Sequence, residues 1–198
     1  MNNTLSAAIA VAAARLVVDE GLEYGPAKRK AARALGQRSA RAGTLPGNEA
    51  VEDEVRAYLE LFHADTQPVE LAALRAVAAL WMERLAEFRP HLTGAVWRGT
   101  ATRLNNVHLQ LFCDDSKTAE IALINREIAY EVDSHRGPRG NDIDVLLVST
   151  PCPALGEAVT LCLSILDHDD LRGALRPDAR GRADRGDLAA LRRLEAGT

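Results

Sequence analysis

The 198-residue chain is 47% hydrophobic and 26% charged, the proportions of a soluble globular protein and too apolar for disorder. Its 24 basic and 28 acidic residues give a formal net charge of −4, which argues against a global positive field that would gather nucleic acid. Aromatic residues make up only 4%, too few rings for stacking a single strand, and a chain of this length buries roughly 70% of its unfolded surface without needing disulfides or metals.

The first half reads as helical. Residues 5–20, rich in Ala, Leu and Val, predict a helix with Gly21 as its C-cap. Leu5 to Val18 is apolar, but Arg15 interrupts it, no basic segment precedes it, and it falls short of the ~20 apolar residues that span a bilayer. Neither a signal peptide nor a membrane span is expected, which leaves the cytoplasm as the location. Pro26 starts a short basic helix, Lys28 to Arg33, closed by Gly36, and residues 37–48 read as a mobile linker. The basic stretch from Lys28 to Arg41 reads as a solvated face and not as a nucleic-acid site. A third helix is expected from Val51 to His63, with Val51, Val55, Tyr58, Leu59 and Phe62 on one face. Thr66-Gln67-Pro68 opens a fourth, striped by Leu71, Leu74, Ala78, Trp81, Leu85 and Phe88 until Pro90 stops it.

The second half changes period. A short strand is expected from His91 to Val96, and the alternation of Val107 to Phe112 marks a half-buried one. Ser116 is the expected cap of a helix from Lys117 to Asn125, and Ile128 to Val132 returns as a strand. A turn at Gly137-Pro138-Arg139-Gly140 precedes strands at Ile143 to Val148 and Val159 to Leu166. From Asp169 the chain mixes Arg, Asp and Gly before a short helix near Leu188 to Leu194. Arg172, Arg176, Arg180, Arg182 and Arg185 are interleaved there with Asp178, Asp184 and Asp187, which cancels much of their charge. Cys113, Cys152 and Cys162 sit in or beside apolar runs and read as small buried hydrophobes, not as a disulfide or zinc framework. In Asp167-His168-Asp169-Asp170, capping outweighs metal ligation. His63, His91 and His135 read as structural or solvated, and no P-loop, G-x-S-x-G elbow or H-E-x-x-H motif occurs.

One stretch stands out, Pro90 to Phe112. Leu92 to Ala95 makes an apolar strand and its Gly turn; Arg98-Gly99-Thr100-Ala101 follows; then Asn105-Asn106-Val107-His108-Leu109 enters a second strand. This resembles the active-site signature of polymerase-beta-like nucleotidyltransferases, in which a Gly-Ser turn precedes a strand carrying Asp-x-Asp. The resemblance implies an α+β fold, N-terminal helices followed by a mixed β-sheet with flanking helices. It divides the chain into a helical region over 1–66, a nucleotidyltransferase-like domain over 67–175 and an Arg/Asp-rich tail over 176–198.

It further implies nucleotide binding at Thr93, Gly94, Ala95, Arg98 and Gly99, where a glycine lets backbone N–H groups approach phosphates. Two carboxylates on one side of a strand and a third next to them hold Mg²⁺ in that family. Here Ala95 replaces the serine, and Asn106 and His108 replace the aspartates, keeping their spacing without their charge. Asp144 is the best candidate for the third carboxylate, with Glu131 and Asp142 as alternatives. The expected protein is therefore a nucleotidyltransferase-like pseudoenzyme that binds a nucleotide or a macromolecular partner through the Gly94 turn. Mg²⁺ or Mn²⁺ would enter only in an active form, held by Asn106, His108 and Asp144. On this reading residues 106 and 108 share a strand face toward Gly94, Val107 and Leu109 point to the core, and Asp144 approaches from a neighbouring strand. A separate reading makes the helical half, with its Trp81 and Phe62 faces, a docking module for another protein.

Overall fold

A computed structural model describes residues 2–37, 45–137, 140–171 and 181–197. Residues 38–44 of the expected linker, Pro138 and Arg139 of the expected turn, and residues 172–180, with Arg172, Arg176, Asp178 and Arg180, lie outside the described residues. The chain divides into two compact units, residues 1–71 with 100–105, and residues 72–99 with 106–198.

The first unit holds α1 (Asn2–Glu20), α2 (Tyr24–Ala34), α3 (Asn48–Phe62) and the first residues of α4 (Gln67–Arg84). Alanine has no side chain to hold helices apart, so Ala10, Ala13 and Ala14 of α1 and Ala27 and Ala31 of α2 pack closely around Ile9, Val17, Val51 and Val55. Lys28, from the expected basic face, donates to the Pro46 carbonyl at 3.2 Å and to Asn48 Oδ1 at 2.7 Å. Loop 100–105 is fastened to the start of α4: Gln67 Nε2 donates to the Ala101 carbonyl at 2.9 Å, and the Arg103 N–H donates to Glu70 at 2.9 Å. The expected apolar face of α3 is split. Val51, Val55 and Leu59 are buried, whereas Phe62 is 58% exposed.

The second unit is a mixed α+β layer. After the 3₁₀ turn Ala86–Phe88 come β1 (His91–Thr93), α5 (Gly94–Arg98), β2 (Val107–Phe112), α6 (Ser116–Asn125), β3 (Glu131–Arg136), β4 (Asp142–Cys152) and β5 (Glu157–Leu166). A 3₁₀ turn at His168–Leu171, β6 (Arg185–Gly186) and α7 (Leu188–Ala196) follow. The sheet order is β3-β4-β5-β2-β1-β6; β2 and β5 are parallel and every other neighbouring pair is antiparallel.

The period-two pattern separates the sheet's faces. Val107, Leu109 and Leu111 of β2, Leu161 and Leu163 of β5, and Leu146 and Val148 of β4 fill one face, each at most 1% exposed. Helix α4 lies on that face, since Trp81 Nε1 donates to Thr150 Oγ1 at 3.2 Å in the interior. Trp81 is thus core and not a docking surface; its indole is buried with Leu74, Ala78, Leu85 and Phe88, the stripe expected for α4. Arg75, only 8% exposed, donates from Nε to the Val96 carbonyl at 3.3 Å; burial lowers its pKa, and Glu195 opposes that shift.

Several boundaries differ from the sequence reading. The strand expected over His91 to Val96 stops at Thr93, because Gly94 turns the chain with φ of 74° and starts α5. Asp115, not Ser116, caps α6; its carboxylate accepts from the Lys117 N–H at 3.0 Å, and as an anion it also complements the helix dipole. Ile128 to Tyr130 precede β3, which begins at Glu131. Asp167 acts as a cap, accepting from the Asp169 N–H at 2.7 Å. Within the segment read as a tail, β6 and α7 belong to the sheet unit. Among the described residues no helix is long and apolar enough to cross a membrane.

The three cysteines are free and buried, as their apolar settings imply. Burial pushes the Cys113 thiol up, and Asp115, Asp114 and Asp167 add to the shift. Only the thiolate is nucleophilic, so Cys113 should resist iodoacetamide at neutral pH and label only above the ordinary thiol range, while burial alone shields Cys152 and Cys162. Urea should release all three thiols. Stoichiometric labelling of the native protein at neutral pH, read by mass spectrometry, would contradict this burial. The sign follows for stability: a raised folded-state pKa favours folding below the unfolded thiol's pKa, and that contribution is lost as pH climbs through the raised value.

Candidate functional site

The other face of the sheet is only partly covered, and register assigns its residues. Side chains directly opposite one another on paired strands share a face. One row crosses all six strands: Arg185, Thr93, His108, Cys162, Leu147 and Glu131. The next row holds His91, Gln110, Ser164, Val145 and Asp133. Thr93, His108, Gln110, Ser164 and Arg185 are all half-buried there, a polar strip against an otherwise apolar sheet.

Gly94 closes the strip at the end of β1. Its left-handed φ favours glycine, while a Cβ there would lie 3.5 Å from His108 Cδ2, an ordinary contact. Backbone conformation, and not lack of room, is the reason for glycine. The expected approach of position 108 to the Gly94 turn is present, and Val107 and Leu109 are fully buried. Asn106 is exposed and lies just before β2 begins at Val107. Ala95 is in α5, and its carbonyl accepts from the N–H of Gly99, the cap residue after Arg98.

Asp144 does not join this group. Leu147, not Asp144, stands level with Cys162 and His108, and three residues separate the two positions on β4. An odd separation puts Asp144 on the opposite face, two strands from β2, on the side of Thr150 and α4. Of the alternatives, Glu131 shares the row of His108 but stands on β3, three strands away, and Asp142 has the parity of Asp144. Position 162 on the strand beside β2 is a cysteine. Among the described residues no group of three or more His, Cys, Asp or Glu could hold a metal ion. The donor set of Asn106 and His108 does not fit Mg²⁺, which requires anionic oxygen.

Residues outside the motif complete the strip. Arg185 Nη1 donates to Gln110 Oε1, and the buried Nε has no hydrogen-bond partner among the described residues. Desolvation lowers the pKa of this guanidinium, and the nearby Asp184 and Asp170 oppose the shift. Thr93 Oγ1 donates to the Asp184 carbonyl at 3.0 Å, and Trp97 Nε1 to the Ala183 carbonyl at 2.6 Å, so residues 183–186 are bound along the edge of β1. His91 is structural, as expected. Its Nδ1 lies 2.9 Å from the Arg89 carbonyl, and its ring meets Phe112 edge-on at 5.4 Å. Sequence reading missed Arg185 and Gln110 as site residues; no motif marks them, since an edge strand of two residues brings them together. No protein-family model matches the chain, and no curated protein is significantly similar to it.

Proposed function

We propose that the sheet unit is a nucleotidyltransferase-like domain without metal-dependent catalysis, which binds a nucleotide at the Gly94 turn. The observation that carries the reading is the β1–Gly94–α5 turn set over His108 on the antiparallel β2, beside a half-buried Arg185. Gln110, Ser164 and Arg185 offer donors on one face, and β1, β2, β5 and β6 place no carboxylate in those two rows. A partly desolvated guanidinium suits an anionic oxygen, and a phosphate is the natural partner. The same lack of carboxylates supports loss of nucleotidyl transfer, which needs charge beside the phosphates that Asn106 and His108 do not supply. A cytoplasmic location accompanies this reading.

Calorimetric titration with ATP, GTP, CTP and UTP, each with and without Mg²⁺, tests it. At least one should bind with an affinity indifferent to Mg²⁺, and Arg185→Ala should weaken it about tenfold or more, the worth of a charge-assisted hydrogen bond. Absence of binding by all four nucleotides overturns the proposal, and binding that requires Mg²⁺ overturns its non-metal part.

A further inference from the structure

Helices α1 and α3 of the first unit leave an open groove of about 300 Å³ between them, lined by Val11, Arg15, Glu54, Tyr58, Leu61 and Phe62 among others. Val11 is 47% exposed, Leu61 73% and Phe62 58%, side by side on a surface bordered by Arg15 on α1 and by Glu54 and Glu60 on α3. Positions 54, 58, 61 and 62 follow helical spacing and form a second stripe, distinct from the buried Val51, Val55 and Leu59. A two-stripe helix in a three-helix unit has one face that its own unit does not cover. Contiguous exposed apolar surface rimmed by charge marks an interaction site.

The charges on the rims select the occupant. The Arg15 guanidinium lies 5.8 Å from the centre of the Tyr58 ring, so it stands at the level of Tyr58 on the α1 wall. Glu54 stands on the α3 wall one helical turn away, and it has no hydrogen-bond or ion-pair partner among the described residues. Asp19 of α1 is held by the Tyr58 hydroxyl at 3.1 Å and lies 3.9 Å from His63, so the groove's own lining carries one charge of each sign, offset by one turn along the helices. A two-fold axis perpendicular to the helices, lying in the mouth of the groove and centred between those levels, sets Arg15 of each copy level with Glu54 of the other across the interface. The same operation packs the two apolar stripes together as a four-helix arrangement. A uniformly acidic or basic partner would satisfy one rim and oppose the other.

We infer that this groove is the interface of a homodimer of the chain. Sedimentation velocity on the full chain should show a concentration-dependent monomer–dimer equilibrium in the micromolar range. Leu61→Asp should leave a monomer, and because Leu61 lies outside the core, its melting temperature at monomeric concentrations should match that of the wild-type protein. Arg15→Glu and Glu54→Arg should each weaken association about tenfold or more, since like charges then face each other twice across the axis. An equimolar mixture of these two variants should associate again, because each rim then meets the opposite charge. A wild-type protein that stays monomeric, a dimer unaffected by Leu61→Asp, or a mixture that fails to restore association each overturns the inference.

Discussion

Leu163→Ala is expected to destabilise the sheet unit by about 3–4 kcal/mol, measured by urea unfolding. Leu163 sits on β5, the strand that joins the β3-β4 side to the β2-β1-β6 side. Leu109 and Leu146 flank it in register on either side, and all three are fully buried. Truncation removes the transfer free energy of the lost methyl groups and leaves a cavity that two rigid neighbouring strands cannot close. Because domain stabilities are typically about 5–15 kcal/mol, this one change should remove a large share of the whole. Ser164→Ala, one residue along on the half-open face, is the control and should shift stability by less than about 1 kcal/mol. Equal effects of the two substitutions would mean that the faces have been assigned the wrong way round.

The second large effect is expected at Gly186. A Cβ there would overlap the six-membered ring of Trp97, whose Nε1 is fixed to the Ala183 carbonyl at 2.6 Å. The indole cannot retreat without losing that bond, so Gly186→Val should cost about 2–4 kcal/mol from overpacking plus the broken hydrogen bond. Trp81→Phe leaves Trp97 as the single tryptophan, because the chain has only 2, and its emission should shift to the red as the indole moves into water. Combining Gly186→Val with Trp97→Ala should recover part of the loss, since the clash then has no second member. Full additivity of the two changes would show that the glycine and the indole do not meet.

Local pattern made much of this fold readable. The alternation in Val107 to Phe112 and the stripe of Leu74, Ala78, Trp81, Leu85 and Phe88 are statements about one element and its own buried face, and both hold. What failed depends on pairs of elements. The face of Asp144 follows from the register of β4 on β5 and of β5 on β2, and a one-residue difference in either would invert it. Phe62 fits the period of α3 but faces the open groove beside α1, while Val51, Val55 and Leu59 take the contacts of the Ala-rich helices. The segment Ala95-Val96 is apolar enough for a strand, yet the positive φ of Gly94 had already turned the chain. Arg185-Gly186 has no period at all; its place comes from Trp97, Thr93 and Gln110, which lie far away along the chain.

That edge pairing sets an order of assembly on the ribosome. A nascent chain that has emerged through β5 holds β1 to β5 and can close five of the six strands. Thr93 and Trp97 still lack their acceptors, because Asp184 and Ala183 have yet to be synthesised. Pairings this distant along the chain form late, after the loop-closure entropy has been met by nearer contacts. The polar strip around Gly94 is then incomplete until residues 183–186 dock, and before that any ligand of that face meets a site whose arginine is still in solvent.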